Sequence, residues 1–350
     1  MTNLHSGNRQ WVLRRRPEGL VSVEDFELLD AAVPALTTGG ALVRTLYFSF
    51  DPTQRGWLND APGYMPPVQI GEPMRAVGIG QIVDSNRADL KRGDLVQGLM
   101  SWQEYFLHDD KPHDPTFRSL QKIAADVPLT DRLSVFGLTG TTAYFGMVDV
   151  GAVRVGDVVV VSGAAGATGS IAGQIARIKG ASKLIGIAGG ADKCRWLVEK
   201  GGFDAAIDYR GEKVAKRLRE LAPQGVDLFF DNVGGDILDA VLLNLAFRAR
   251  VVICGGISSG YGTKMAPGPK HYMQLVFKSA RMEGFLLMTY ADRMGEAVGE
   301  LKGWVGAGKL KYEVDVVQGF EHAPDTLRRL FEGRNFGKQL LKVADPLPPG

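Results

Sequence analysis

Three glycines spaced three apart, in Gly163-Ala164-Ala165-Gly166-Ala167-Thr168-Gly169, are the residues of this chain best suited to hold an anion with backbone alone. A residue without a side chain reaches backbone angles that others resist and lets main-chain N–H groups approach a phosphate at a helix N-terminus. The turn follows the β-branched run 158–161, as expected of a parallel strand buried on both faces. It opens onto Ile171, Ala172, Ile175, Ala176 and Ile178, apolar at helical spacing, with Gly180 expected to end the helix. Strand, glycine turn and helix in this order predict the pyrophosphate turn of a dinucleotide site. Ala164 stands where the common G-x-G-x-x-G spelling has its first glycine, and alanine is small enough for the same turn. A glycine-rich turn kept only for packing is the competing reading.

The next residues choose among dinucleotides. In NAD-binding sheets an acid at the end of the second strand accepts the adenosine ribose 2′-hydroxyl. Here the strand 184–188 runs into Gly189-Gly190-Ala191, and the first charges are Asp192 and Lys193. A carboxylate at the strand end repels a 2′-phosphate, whereas a lysine one turn later neutralises it, so NADP(H) is the expected cofactor. Asp192 is expected to favour the first turn of its helix; a ribose contact is its alternative, as a solvated helix position is that of Lys193. Tyr209, ending the next strand, offers a hydroxyl to the phosphate and a ring to the adenine, or simply packs. Asn232 and Cys254-Gly255-Gly256 close the following two strands at the carboxyl ends where open α/β sheets bind ligands. Asn232 suits ribose hydroxyls and equally a cap for the helix that follows.

Around these residues, strand and helix signals alternate at βαβ spacing: strands at 184–188, 205–208, 228–232, 250–254 and 282–287, helices at 192–200, 213–221, 235–245 and 291–306. With the strand before the glycine turn they predict a six-stranded doubly wound parallel sheet. The preceding part, to about Asp131, reads as short strands (41–46, 76–83 and 94–100 the clearest), and a helical pattern covers 135–150. After Gly308 come a strand at 312–317, a short helix at 324–333 and a last strand at 338–343, too little to fold alone, so the tail is expected to complete the first domain. The predicted division is 1–131 with 309–350, and 132–308. The end, 346–350, is expected to fray. With 41 basic and 39 acidic residues scattered along 350, no polyanion or nucleic-acid partner is indicated, and Arg14-Arg15-Arg16 reads as a solvated turn. No stretch approaches the ~20 apolar residues of a membrane span, and two cysteines give no disulfide framework. A soluble, cytoplasmic protein is expected.

The motifs AAGATGSIAGQIARIKG, IAGGADKC, DAAIDY, FDNVGG, CGGIS, RMEGF and NFGK, in that order, resemble the zinc-independent branch of the medium-chain dehydrogenase/reductase superfamily, most closely its NADPH-dependent alkenal/one oxidoreductases. RPEG (16–19), DPTQRG (51–56) and FGLTGTTAYFG (136–146) agree. The resemblance implies a GroES-like β domain containing both chain ends and an inserted Rossmann domain. It implies that Gly166, Ala167, Thr168 and Gly169 cradle the pyrophosphate, that Lys193 and Tyr209 hold the 2′-phosphate, and that Asn232, Cys254, Gly255, Ile257, Ser258, Phe285, Leu286, Leu287 and Asn335 surround the nicotinamide half. A homodimer through the edge strand of the cofactor domains is also implied. Three positions depart from the group: Thr53 and Phe277 stand where tyrosines are usual, and Tyr261 matches a third tyrosine only with one residue inserted in Ser258-Ser259-Gly260. The substrate pocket, with Thr53, Tyr64, Tyr261 and Phe277, is therefore expected to differ from that of its relatives.

A catalytic zinc requires three protein ligands such as Cys2His. Cys194 and Cys254 lie in cofactor motifs, and His5, His108, His113, His271 and His322 show no ligand spacing, so no metal is expected. Oxidation of a simple alcohol then lacks its usual means of stabilising an alkoxide, while reduction of an activated double bond requires less. The expected reaction is hydride addition from NADPH to the β-carbon of an α,β-unsaturated ketone or aldehyde, with charge developing on oxygen. Tyr64 and Tyr261 are the candidate hydroxyl donors, and either also suits a packing role. Quinone reduction and non-catalytic NADPH binding are the alternatives.

Overall fold

The computed structural model describes residues 7–61, 63–109, 120–262 and 267–348. His5 and His113 lie outside them. The chain divides into two compact units, Met1–Leu133 with Asp315–Arg334 and Gln339–Gly350, and Ser134–Val314 with Asn335–Lys338.

In the first unit, β1 (Gly7–Leu13) and β2 (Phe26–Ala32) form an antiparallel pair. The strands β3 (Ala41–Ser49), β4 (Arg75–Ser85), β5 (Leu95–Ser101), β6 (Tyr105–His108) and β7 (Gln121–Ile123) build a second sheet before the short helix α1 (Leu129–Leu133). Phe48, Phe50, Trp102 and Phe320 are fully buried in its core. Between β3 and β4 a 3-10 turn, Pro52–Leu58, buries Arg55, whose guanidinium donates to the carbonyls of Pro17 and Gly19 (both 2.9 Å) and to Asn59 Oδ1 (2.6 Å). Desolvation is tolerable because each of its three nitrogens finds an acceptor. The RPEG and DPTQRG signatures are thus one packing unit.

The second unit starts with α2 (Leu138–Phe145), which widens into a π turn at Gly146–Val150, so the regular helix is shorter than the 135–150 pattern. Then follow β8 (Val158–Ser162), α3 (Ala167–Ile178), β9 (Lys183–Ala188), α4 (Ala191–Glu199), β10 (Ala205–Asp208), α5 (Val214–Leu221), β11 (Val226–Asp231), α6 (Gly235–Leu242), β12 (Leu245–Ile253), α7 (Gln274–Phe277), β13 (Arg281–Gly284) and α8 (Met294–Gly306). The sheet order is β10-β9-β8-β11-β12-β13, every pair parallel, with buried apolar clusters in the second unit including Val159, Val161 and Phe230 in one and Val160, Ile185 and Phe229 in another. This is the doubly wound order. At the amino ends of its strands Arg250 is buried against Asp157 and donates to the carbonyls of Gly151 (3.0 Å), Ala152 (3.2 Å) and Asp227 (3.1 Å). The last strand ends at Gly284, not at 287. Phe285 leaves the sheet to cover Gly146, where an added Cβ would stand 2.7 Å from its ring, and Leu287 begins a 3-10 turn.

The tail supplies β14 (Val314–Gln318), α9 (Ala323–Glu332) and β15 (Lys338–Lys342), and β15 pairs antiparallel with β3. The sheet reads β14-β15-β3-β4-β5-β7, with β6 also on β3. The chain beyond β15 does not fray as expected. Leu347 donates its N–H to Gln81 Oε1 (2.7 Å) and accepts from Gln81 Nε2 (3.2 Å), because the buried Gln81 amide needs both partners; residues 349–350 lie outside the described set. Among the described residues no helix is long and apolar enough to cross a membrane.

Candidate functional site

Gly163 turns the chain just past β8 at φ +56, in the left-handed region, and Gly166 is the N-cap of α3. Glycine contributes no capping side chain, and the first bond into the helix runs from Ser170 N–H to the Gly166 carbonyl (3.0 Å). Among the described residues, the N–H groups of Ala167, Thr168 and Gly169 have no acceptor. Three unpaired amides in the first turn of a 12-residue helix fit a pyrophosphate, in both hydrogen bonding and charge. Gly169 is needed for a different reason. A Cβ there would overlap the carbonyl oxygen of Gly163, so its absence lets the helix begin against the turn. Ala164 fits its place because Gly186 leaves room for its methyl, an added Cβ on Gly186 standing only 3.0 Å away.

Asn335 reaches the same turn. Its Nδ2 donates to the Gly337 carbonyl (3.0 Å), while Gly337 donates to the Ala165 carbonyl (3.3 Å) in an isolated parallel bridge with Gly166. The NFGK signature therefore braces the glycine turn from outside.

At the next strand ends, the Tyr209 ring lies over Gly189, where an added Cβ would stand 2.8 Å from its hydroxyl. That hydroxyl has no hydrogen-bond partner among the described residues. Lys193 is the third residue of α4, whose N-cap, Gly190, provides no side-chain cap. Asp192, the acid that suits a ribose contact, is paired with Arg195 at 3.1 Å. Asp208 Oδ1 accepts the N–H groups of both Gly190 (2.9 Å) and Arg210 (3.0 Å), tying the turn after β9 to the turn after β10. These bonds, that of Gly190 first, hold the Asp208 carboxyl below its ordinary range. Sequence reasoning passed over Asp208 and Arg210; the signal available was a charged residue on each side of Tyr209.

On the other half of the sheet, Asp231 is deeply buried and accepts Ser162 Oγ (2.6 Å) and the N–H groups of Val233 (3.0 Å) and Gly234 (3.1 Å). Burial, the largest effect, pushes its carboxyl up against the pull of these donors. Asp231, not Asn232, therefore secures the start of α6. Asn232 instead donates Nδ2 to the Ser162 carbonyl (2.7 Å). The turn after β12 is zipped to this one: Cys254 and Gly255 donate to the Asp231 carbonyl (2.8 and 3.1 Å), Ile257 to that of Asn232 (3.3 Å) and Ser258 to that of Val233 (3.0 Å). Tyr261, at φ +51, folds back so that its hydroxyl accepts the Gly256 N–H at 3.1 Å. Burial first, and the Asp231 charge second, push the Cys254 thiol up to about 12, which keeps it protonated and unreactive. The structure thus brings Asn232, Cys254, Gly255, Ile257, Ser258 and Tyr261 into one cluster. Phe285 packs edge-on to Tyr290 (6.3 Å between centroids), Leu286 is half exposed, and Leu287 opens the following turn.

In the first unit Thr53 and Tyr64 meet: their hydroxyls share a short hydrogen bond, and Tyr64 also accepts the Trp57 indole N–H at 3.3 Å. Phe277 lies apart from Tyr261's cluster, exposed with Val276 on α7 ahead of the edge strand. Among the described residues no group of three or more His, Cys, Asp or Glu side chains could hold a metal ion.

A doubly wound sheet with an unpaired pyrophosphate turn, together with a separate antiparallel β unit holding a tyrosine–threonine pair, defines a nicotinamide-dependent oxidoreductase of the medium-chain class. Family models described as "N-terminal domain of oxidoreductase" and "Zinc-binding dehydrogenase" match residues 9–115 and 167–302. The NADPH-dependent curcumin reductase of Escherichia coli is 37% identical over 350 residues, covering 96% of this chain and 97% of its own. The NADP(+)-dependent 2-alkenal reductase of Nicotiana tabacum is 34% identical, covering 96% and 98%. The crystal structure of CurA from Vibrio vulnificus in complex with NADPH superposes with a TM-score of 0.89 at 37% identity, covering 97% of this chain and 100% of that one. The chain belongs to the medium-chain dehydrogenase/reductase superfamily, in its NADPH-dependent enone reductase group, with a GroES-like β unit and a Rossmann unit.

Proposed function

We propose that this protein is an NADPH-dependent reductase of the activated C=C bond of α,β-unsaturated ketones and aldehydes. The observation that carries the reading is its relation, over nearly the whole chain, to the curcumin and 2-alkenal reductases and to an NADPH-bound structure. NADPH, when bound, supplies a hydride to the β-carbon of the conjugated carbonyl. The chain's own residues bind, orient and stabilise charge. The amides of Ala167, Thr168 and Gly169 hold the pyrophosphate, with Asn335 bracing their turn. Lys193 and Tyr209 hold the 2′-phosphate. Asn232, Cys254, Gly255, Ile257, Ser258, Phe285, Leu286 and Leu287 form the nicotinamide side.

Tyr64 and Tyr261 are the proposed hydroxyl donors for the developing charge on oxygen. Each hydroxyl accepts an N–H, from Trp57 and Gly256 respectively, and a hydroxyl that accepts is a stronger donor in turn. Thr53, hydrogen-bonded to Tyr64, gives the substrate side its own shape. The near balance of charge, with no basic patch for a polyanion, fits a cytoplasmic protein acting on a small molecule. The edge strand β13, exposed along its length and flanked by Phe247, Val276 and Phe277, supports a homodimer through that edge.

The test is spectrophotometric. NADPH absorbance is expected to fall with an enone and to stay level with the matching saturated ketone or alcohol. Equal turnover of the saturated ketone, or turnover of quinones alone, overturns the reading.

A further inference from the structure

The geometry points to Arg210 as a second cationic ligand of the cofactor's 2′-phosphate, facing the turn after β9 from the β10 side. This rests on the NADP(H) reading of that turn. Three observations carry it.

First, Nη1 of Arg210 lies 3.9 Å from the place a Cβ would occupy on Gly190. The guanidinium therefore hangs over the strand-to-helix turn, one residue from the glycine that Tyr209 covers.

Second, among the described residues the guanidinium has no hydrogen-bond or ion-pair partner. Carboxylates close by in sequence are engaged elsewhere. Glu212 accepts the Asp208 N–H (2.9 Å) and pairs with Arg217 (2.9 Å), Asp192 pairs with Arg195, and Asp208 directs Oδ1 at two backbone amides. The guanidinium attracts the Asp208 carboxylate through space without a hydrogen bond to it, so its fork stays available to an outside anion.

Third, the backbone of Arg210 is fixed relative to Gly190 through Asp208 Oδ1, so the stem of the side chain is anchored on the turn it faces. The guanidinium fork matches two oxygens of a phosphate and stays charged at every working pH, whereas the lysine ammonium is a point charge. The combined set, a phenol hydroxyl and an arginine fork over adjacent glycines with Lys193 on the first turn of α4, suits a phosphomonoester dianion better than a free ribose hydroxyl.

Calorimetric titration of the full chain with 2′,5′-ADP and with 5′-AMP tests this without turnover. Arg210→Ala is expected to weaken 2′,5′-ADP roughly ten-fold and to leave 5′-AMP within about two-fold, with Arg210→Lys recovering part of the loss. The salt dependence of 2′,5′-ADP binding should flatten in Arg210→Ala, because one of the charges facing the phosphate is gone. If Lys193→Ala weakens 2′,5′-ADP selectively and Arg210→Ala does not, the assignment of Arg210 is overturned while the phosphate site stands. If neither Arg210→Ala, Lys193→Ala nor Tyr209→Phe changes the preference, the NADP(H) reading of this turn falls as well.

Discussion

The carboxylate of Asp231 accepts the hydroxyl of Ser162 at 2.6 Å, joining the carboxyl ends of β8 and β11, the two central strands of the parallel sheet. Ser162 Oγ in turn accepts the Asn232 N–H at 2.8 Å. Asp231→Ala removes the acceptor for two part-buried amides and a buried hydroxyl, and each orphaned donor is costly. It is expected to lower the unfolding free energy by about 3 kcal/mol and to weaken NADPH. Urea unfolding followed by fluorescence measures the first; an unchanged midpoint would show that water replaces the carboxylate.

The glycine turn separates close approach from ligand binding. Gly169→Ala drives a Cβ into the Gly163 carbonyl, whereas at Gly166 the nearest atom, that same oxygen, is 3.1 Å away. Overpacking against rigid backbone costs about 1–3 kcal/mol, so Gly169→Ala should lose both thermal stability and NADPH affinity. Gly166→Ala should lose much less stability. Equal melting temperatures for the two variants contradict this account.

The buried Arg250–Asp157 pair holds three carbonyls besides the carboxylate. Arg250→Met leaves Asp157 as an uncompensated charge and is expected to cost about 3–5 kcal/mol. The double variant Arg250→Met, Asp157→Leu should recover a large part of that loss. A double-mutant cycle with no coupling argues against a clamp.

Asp208 gives the turn beyond β9 a pH dependence. Its carboxyl is held below the ordinary 3.8 by the Gly190 and Arg210 N–H groups, which favour the charged form. For an acid lowered by folding, the contribution is complete above the ordinary value and is lost as pH falls through the lowered one. The melting-temperature gap between the protein and Asp208→Ala is therefore expected to hold steady from about pH 7 to about pH 5 and to narrow below about pH 4. A gap that widens in acid has the wrong sign.

Tyr64 and Tyr261 differ in what their hydroxyls hold. Tyr64→Phe removes the hydroxyl's bonds to Thr53 and Trp57 in the β unit and is expected to slow enone reduction roughly ten-fold or more with unchanged NADPH affinity. Tyr261→Phe also frees the Gly256 N–H beside the nicotinamide turns, so it should weaken NADPH as well as slow turnover. Stopped-flow binding and steady-state rates separate the two patterns; wild-type rates in both variants assign the hydroxyls to packing.

Much of the sheet was legible because its central strands are apolar runs that end in glycine-containing turns, as at 158–161 and 184–188. The pyrophosphate turn was legible for a similar reason, since its function resides in main-chain amides that glycine spacing announces. The errors fall where a side chain acts at a distance in sequence. The sequence offers Asn232 as a cap of the helix that follows, and only the fold shows that Asp231, held by Ser162 from 69 residues away, accepts the amides there. The end of β13 at Gly284 depends on Phe285 finding a gap over Gly146, a contact across more than a hundred residues. Asp208 and Arg210 escaped notice because their spacing around Tyr209 carries no periodic signal.

The bridge between Gly166 and Gly337 has a consequence for biosynthesis. The Rossmann unit is interrupted in sequence, its brace supplied by Asn335–Lys338 after twenty residues that belong to the other unit. While the chain emerges from the ribosome, the six strands can pair as soon as β13 is out, but the phosphate turn then lacks its outer support. It gains that support only when residue 338 has been translated. Nascent chains arrested before that point should carry a paired sheet that retains dinucleotide weakly.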